Sequence, residues 1–413
     1  MSVRTPVALI LLAALAGCAA SKGDRTESAT LDGGLDPAKE PTADAAPVGD
    51  ADPGPGFGTD SALPSPDPEK DNDGDGWAFK DDCNDKDPMV NPGAYDVLGD
   101  GVDNDCNGTV DDPSVGCDTT GIKLDTKNAL DFARALGICQ VADPSGEGKD
   151  KRWGLMSAQL VRADGTPVGD PMQHGIMRKF GTNVSAKSGA NLVVLSSGTA
   201  RTPDQPGFIT AISPSFRTAS EVAPPPGWPK PTSGCPTPSK TTANDSVGLK
   251  LTMRVPTNAK SFSFDFDFYS SEYINFVCSS YNDSFVALLK TGAKLDPASS
   301  GNVSFDAMKN PINVNSGFFE VCTPGSRSGK TFACAKGTKE LEGTGFWDPS
   351  RAEQNGATSW LRTKAPVMPG ETMTIQFLIW DTGDHILDST VLIDNWQWDA
   401  TPSTNPSTDR PPA

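Results

Sequence analysis

Histidine is almost missing from this 413-residue chain, which has only His174 and His385. Zinc centres draw on imidazoles or on cysteines in Cys-x-x-Cys pairs, and none of the nine cysteines forms such a pair. A zinc site of that kind is excluded. Positive charge is scarce too: 35 lysines and arginines face 53 aspartates and glutamates, a net of −18. Without a basic patch the chain lacks the electrostatic footprint of a nucleic-acid binder. Apolar runs are short. The one near the start, Val7 to Leu15, cannot span a bilayer, and no later segment is long and apolar enough to do so.

What the chain has in excess is acid in one place. Residues 60–112 hold 16 acidic and 3 basic residues, so −13 of the −18 falls there. Two runs within it have calcium-loop spacing. The first is Asp71-x-Asp73-x-Asp75-Gly76 with Asp82 at the twelfth position; the second is Asp103-x-Asp105-x-Asn107-Gly108 with Asp111 at the ninth. Alternate oxygen side chains suit a hard cation, because a chain curling round the ion turns every second residue inward. Glycine at the sixth position permits the sharp turn. Trp77 and Thr109 stand at the seventh, where a backbone carbonyl is the ligand. A plain acidic linker would be disordered. The placed glycines, the repeated pattern and the interleaved Cys83 and Cys106 argue instead for calcium as the cofactor.

This segment resembles thrombospondin type 3 repeats. It is still more similar to the MopE-type metal-binding motif of bacterial surface proteins, through Asp82-Cys83, Asn91-Pro92-Gly93-Ala94 and the run Asp100-Gly101-x-Asp103-Asn104-Asp105-Cys106-Asn107-Gly108. That motif's name carries a copper association. Copper favours imidazole or soft sulfur; the segment has no histidine, and its cysteines are better used as a disulfide. Calcium remains the expectation.

At the start, Arg4 precedes the apolar run, which closes on Leu15-Ala16-Gly17-Cys18. This resembles a bacterial lipobox, which implies a signal peptide over 1–18 and acylation of Cys18. Ala19 is not the aspartate that retains such proteins at the inner membrane, so the expected location is the outer membrane, facing the periplasm or the cell surface. Two or three acyl chains anchor firmly where one binds only marginally. The other eight cysteines, an even number in an exported chain, point to four disulfides. Spacing leaves connectivity open; sequence neighbours would give Cys83–Cys106, Cys117–Cys139, Cys235–Cys278 and Cys322–Cys334.

Residues 19–66, rich in Ala, Asp, Gly, Pro and Thr, read as a disordered tether. The acidic motif occupies 67–116. Over 117–140, Lys123 to Gly137 reads as a disulfide-bracketed helix, capped by Asp125 or Thr126, with Ala129, Leu130, Ala133 and Leu136 on its apolar face. From 141 to 400 the signal is strand. Leu249, Leu251, Met253 and Val255 alternate, as do Phe262, Phe264, Phe266 and Phe268, and Met373, Ile375, Phe377 and Ile379. Such period-two patterning predicts a mainly β fold, a β-sandwich or jelly roll, with Asp265 and Asp267 on a strand's solvent face. The Pro-rich run Pro224 to Pro238 is a surface loop or a seam, and 401–413 a flexible tail.

Within that region Phe264 to Leu288, Gly356 to Asp381 and Asp381 to Ile393, with Phe180-Gly181 and Ser196-Ser197-Gly198, look like a choice-of-anchor L domain. The resemblance rests most on Ser271-Glu272-Tyr273, Asn282-Asp283 and Asp388-Ser389; where the family has a doubled glutamate this chain has Ser271-Glu272. It implies an exported surface protein with binding or adhesion as its role. Glu272, Asp283, Asp381, Asp384 and Asp388 flank strands, where loops could gather them as a third metal site or where they simply cap turns. His385 beside Ser389 and Asp381 invites a triad reading, but such sets arise by chance. Trp228, Trp347, Trp360, Trp380, Trp396 and Trp398 could stack on sugars, though tryptophans in a sandwich are more often core.

The expected protein is a non-catalytic, calcium-binding, disulfide-bonded lipoprotein, with the acidic motif as a rigid stalk spacing the sandwich from the membrane. Its sandwich would bind a glycan, a matrix component or another surface protein. The alternatives are a surface polysaccharide hydrolase using loop carboxylates and a purely structural envelope protein.

Overall fold

A computed structural model describes residues 67–112, 116–119, 121–212, 220–237, 239, 241–327, 329–351 and 355–411. All lie in one compact unit, 64–413. The expected signal peptide, Cys18 and the 19–66 tether lie outside the described residues. No helix among those described is long and apolar enough to cross a membrane.

The fold is mainly β, and every paired strand is antiparallel. One sheet runs β1 (Gly154–Val161), β7 (Ala243–Arg254), β15 (Thr372–Asp381), β9 (Ser284–Lys290) and β10 (Ile312–Asn313), with β6 (Glu221–Val222) beside β7. The other runs β17 (Ser407–Asp409), β14 (Leu361–Pro366), β8 (Ser261–Ser270), β16 (Ser389–Asp399), β5 (Leu192–Ser196) and β2 (His174–Met177), with β13 (Gly356–Ala357) beside β8. Two small ribbons pair β3 (Lys179–Phe180) with β4 (Val184–Ser185), and β11 (Gly325–Arg327) with β12 (Lys330–Phe332).

Period-two patterning puts one set of side chains from each sheet into a shared core. Leu249, Leu251 and Met253 of β7, with Ile375, Phe377 and Ile379 of β15, meet the four phenylalanines of β8 and Val391 and Ile393 of β16. Phe264 stands edge-to-face on Phe377 across the gap at 4.9 Å, and Phe266 reaches Phe285 at 4.8 Å. Each buried side chain of this size contributes about 1.5–3 kcal/mol. The sheets are thus held by apolar burial between them, and backbone ladders set the register.

Several details depart from the sequence reading. Asp265 and Asp267 do not face solvent; both are fully buried. Arg362, opposite Asp265 on β14, clasps its carboxylate with two hydrogen bonds of 2.6 and 2.9 Å. Asp267 accepts from Thr358 Oγ1. Phe180, Leu341 and Phe346 pack against Tyr269 on that outer face, so positions expected to be wet are covered. The helix, α1, is only Ala129–Ala135, capped by Asn128 rather than Asp125 or Thr126. The segment before it is drawn to the sheet edge, where Leu124 O accepts from Ile176 N. Its buried face carries Phe132, Ala133 and Ala135, and Leu130 is exposed. Within the expected tail, Ser407–Asp409 pairs with β14, and Arg410 bonds to the carbonyls of Thr358 and Phe318. The four disulfides join Cys83–Cys106, Cys117–Cys139, Cys235–Cys278 and Cys322–Cys334.

Candidate functional site

The first acidic loop is shaped by its own side chains. Asp71 accepts from Gly74 N and Gly76 N, Asp73 from Asp75 N, Asp75 from Trp77 N, and Asp82 from Asn84 N. Gly74 and Gly76 sit at φ +84° and +96°, which a side chain would strain. In Asp73, Asp75 and Asp82 the second carboxylate oxygen is buried and has no hydrogen-bond partner. Ligand oxygens of these three lie within 4.8 Å of one another, as do those of Asp71, Asp73 and Asp85. In Asp73, Asp75 and Asp82 one oxygen holds the turn and the other is left without a donor, whereas Asp71 spends both on the turn. Burial pushes Asp75 up to about 7, and raises Asp73 and Asp82, with the neighbouring carboxylates adding. The N–H groups of Gly74 and Gly76 hold Asp71 below the usual range. Asp85 was not legible in the loop spacing because it lies past the twelfth position; Asn72, inside the loop, bonds to it and draws it in.

The second loop is built differently. Asp103 accepts from Asn107 N and Gly108 N, Asp105 from Asn107 N, and Asn107 from Thr109 N. Asp111 does not turn toward them: its Oδ1 takes the N–H groups of Gly99, Asp100 and Gly101. Asp112 Oδ1 accepts from Asn107 Nδ2, and its own N–H donates to Asp96. Burial raises Asp105, with Asp112 and Asp103 adding. Among the described residues this loop forms no three-carboxylate cluster like the first. Cys83 and Cys106 join the two loops, so their sulfurs are not thiolate ligands.

The motif is not a stalk held away from the sandwich. Thr257 N donates to Gly93 O at 3.0 Å and Thr257 Oγ1 to Asn91 Oδ1 at 2.7 Å. Asn258 accepts from Tyr95 N and donates to Tyr95 O, and Tyr95 OH accepts from Ala400 N. Gly93 leaves no room for more: a Cβ there would lie 3.0 Å from the Trp77 ring and 3.1 Å from Thr257 Cγ2. The Asn-Pro-Gly-Ala step is therefore the docking surface.

A second cluster forms at one end of the sandwich. Register dictates it: Ser270 pairs with Ser389, Thr390 with Ser196, Asp381 with Asn244 and Trp380 with Ser284. The residues just outside those pairs must therefore meet. Ligand oxygens of Glu272, Asp283 and Asp381 lie within 4.8 Å of one another, all fully buried. Asp283 accepts from Ser389 Oγ at 2.5 Å and Thr382 N at 3.2 Å, and donates its own N–H to Glu272 Oε2. Burial pushes all three carboxyls above their usual range; the Asp283 charge adds to this at Glu272 and Asp381, and Asp384 adds to it at all three. Asp388 is buried beside them, Oδ2 unpartnered, and packs where a Cβ on Gly198 would be 2.0 Å away. Asp384 stays outside the three: it is only half-buried and caps its own turn through Ile386 N.

The suggested triad is not assembled. Ser389 donates to Asp283, while His385 Nδ1 faces Asp245 at 2.6 Å and Nε2 faces Glu221 at 3.4 Å. Trp228, Trp380 and Trp396 are buried, and Trp347, Trp360 and Trp398 are packed against core clusters.

A family model of the choice-of-anchor L domain matches residues 163–397, more than half of the chain. The chain belongs to the choice-of-anchor L family. A second model, of the MopE-type metal-binding motif, matches 82–112, so it covers the second loop and Asp82 but not Asp71, Asp73 or Asp75. Among curated proteins none matches. This choice-of-anchor L protein is thus a cell-surface protein carrying a metal-binding motif docked on its sandwich.

Proposed function

We propose that this is a non-catalytic surface lipoprotein, acylated at Cys18 in the outer membrane, whose sandwich and calcium-loaded motif together bind an extracellular ligand. The observation that carries the calcium reading is the first loop, where Asp73, Asp75 and Asp82 each keep a buried oxygen with no donor and offer ligand oxygens within 4.8 Å of one another. An all-oxygen, anionic set is hard-cation chemistry, which favours calcium over copper. A cleft of about 480 Å³ separates the loop from the sandwich, lined by Trp77, Met89, Lys151, Trp153, Arg254 and Lys260. Lys151, Lys260 and the Trp153 indole suit an acidic glycan, with a sugar face on Trp153 and a carboxylate or sulfate on the lysines, once a bound cation has neutralised Asp75 in the same lining.

Calorimetry on the oxidised full chain tests the metal. Calcium should bind, and Asp73→Asn with Asp82→Asn should weaken it; no binding at millimolar calcium would sink the reading. Binding of an acidic glycan that is lost in EGTA supports the ligand class, whereas a structural envelope protein binds none. Cys18→Ala should release the protein from membranes.

A further inference from the structure

The acidic motif accounts for one cation-binding region; the sandwich end holds a separate set of groups that the motif does not use. We propose that Glu272, Asp283 and Asp381 hold one divalent cation, calcium, between the two sheets. This goes beyond the reading of the motif and stands or falls independently of it.

Three observations carry the proposal. The first is spacing. Calcium–oxygen bonds run about 2.3–2.6 Å, so two ligands on opposite sides of one ion stand about 5 Å apart. Ligand oxygens of the three carboxylates fit inside that span, within 4.8 Å of one another.

The second is what these groups lack. Asp381 is 1 % exposed, yet neither of its oxygens has a hydrogen-bond donor. What its carboxylate meets instead is the carboxylate of Asp283. Asp388 Oδ2 is orphaned in the same way. Among the described residues no lysine, arginine or histidine makes an ion pair with Glu272, Asp283, Asp381 or Asp388. Unpaired buried charge is the costliest arrangement a fold can hold, and a bound ion removes that cost.

The third is origin. Glu272 follows β8 in one sheet, while Asp283 precedes β9 and Asp381 ends β15 in the other. A cation there would tie the sheets together where Ser389 already reaches across to Asp283. Such cross-sheet placement gives the ion a role the surface loop cannot have, in fixing the 271–283 and 382–388 connections.

Bound calcium per chain, counted by elemental analysis after equilibrium dialysis of the full-length oxidised protein, tests this. Asp381→Asn should lose one calcium per chain, or weaken one site at least tenfold, while the motif keeps its own. Asp73→Asn with Asp82→Asn should lose a different calcium and leave the sandwich ion in place. In EGTA, Asp381→Asn should melt at or above the wild-type temperature, because removing one charge relieves repulsion in the empty cluster. Unchanged calcium stoichiometry and affinity in Asp381→Asn would overturn the proposal. So would an EGTA melting point well below wild type, since that would mean the carboxyls serve as hydrogen-bonded structure instead.

Discussion

The acidic motif and the sandwich end solve one problem, gathering carboxylates, by opposite routes. In the motif's first loop, ligand candidates come from fifteen consecutive residues, Asp71 to Asp85, and neighbouring N–H groups take one oxygen of Asp73, Asp75 and Asp82 and both of Asp71 to shape the loop. At the sandwich end they come from three strand junctions up to 109 residues apart, Glu272 to Asp381, and only the register of two sheets makes them meet. The motif's carboxylates remain partly wet, so water screens some of their repulsion. Those of the sandwich end are dry and unscreened. Local shaping costs little and is robust to events elsewhere, whereas topological shaping depends on the whole core.

That contrast can be broken from the core side. Phe264→Ala removes the ring that bridges the sheets to Phe377 and should cost about 3–5 kcal/mol in chemical denaturation. Hydrogen exchange should rise across β8, β15 and the 271–283 connection, while the local loop at Asp71 to Asp82 keeps its protection. From the motif side, Cys83→Ser with Cys106→Ser opens a crosslink of sequence separation 23 and should cost about 3 kcal/mol. Here the protection pattern should invert, with residues 67–112 exchanging first and the sandwich little altered.

The two regions also differ in how far sequence alone reveals them. Asp71, Asp73, Asp75 and Gly76 are legible because an ion-binding loop imposes a period that a reader can count. Glu272, Asp283 and Asp381 can be named from sequence as residues flanking strands, but not joined, because their meeting depends on pairings such as Trp380 with Ser284. Asp384 looked equivalent to them and is not, since a turn two residues long claims its carboxylate. Alternation of the phenylalanines gave β8 its core face but misplaced Asp265 and Asp267. A half-buried strand and one covered on both faces share the same inner pattern, and only the distant segments around Arg362 and Phe346 tell them apart. The stalk reading failed for a similar reason: nothing local to Asn91 and Tyr95 announces that Thr257 and Asn258 will receive them.

Docking of one region on the other is itself testable. Asn258 is fully buried and both accepts from and donates to the backbone of Tyr95. Asn258→Ala leaves that N–H and carbonyl unpaired and should cost about 1–3 kcal/mol. A melt that splits into two transitions would show that the motif and the sandwich can unfold apart; a single lowered transition would show that docking makes them one cooperative unit.

Asp267 sharpens the comparison most finely, because it is a buried carboxyl that belongs to neither cluster. Burial pushes it up to about 7, with Glu340 adding and Thr358, Tyr269 and Lys336 opposing. In the unfolded chain an aspartate titrates near about 3.9. Its folded value is therefore the higher one, so the folded state keeps a proton that the unfolded state has lost. Stability from this group is fully present below about pH 4, declines as pH rises, and is gone above about 7. Asp267→Asn should change little at pH 5 and raise stability at pH 8, by on the order of 1 kcal/mol, because the amide must still find partners for two N–H groups. Measured in EGTA, the fall of melting temperature with pH should flatten without vanishing, since the sandwich-end carboxyls are raised as well. With calcium present, Asp267→Asn should remove part of the remaining slope and Asp394, which burial also pushes up to about 7, should keep another part. Asp265 settles its charge with Arg362 and Asp267 settles its own with a proton, whereas the three at the sandwich end can settle theirs with an ion.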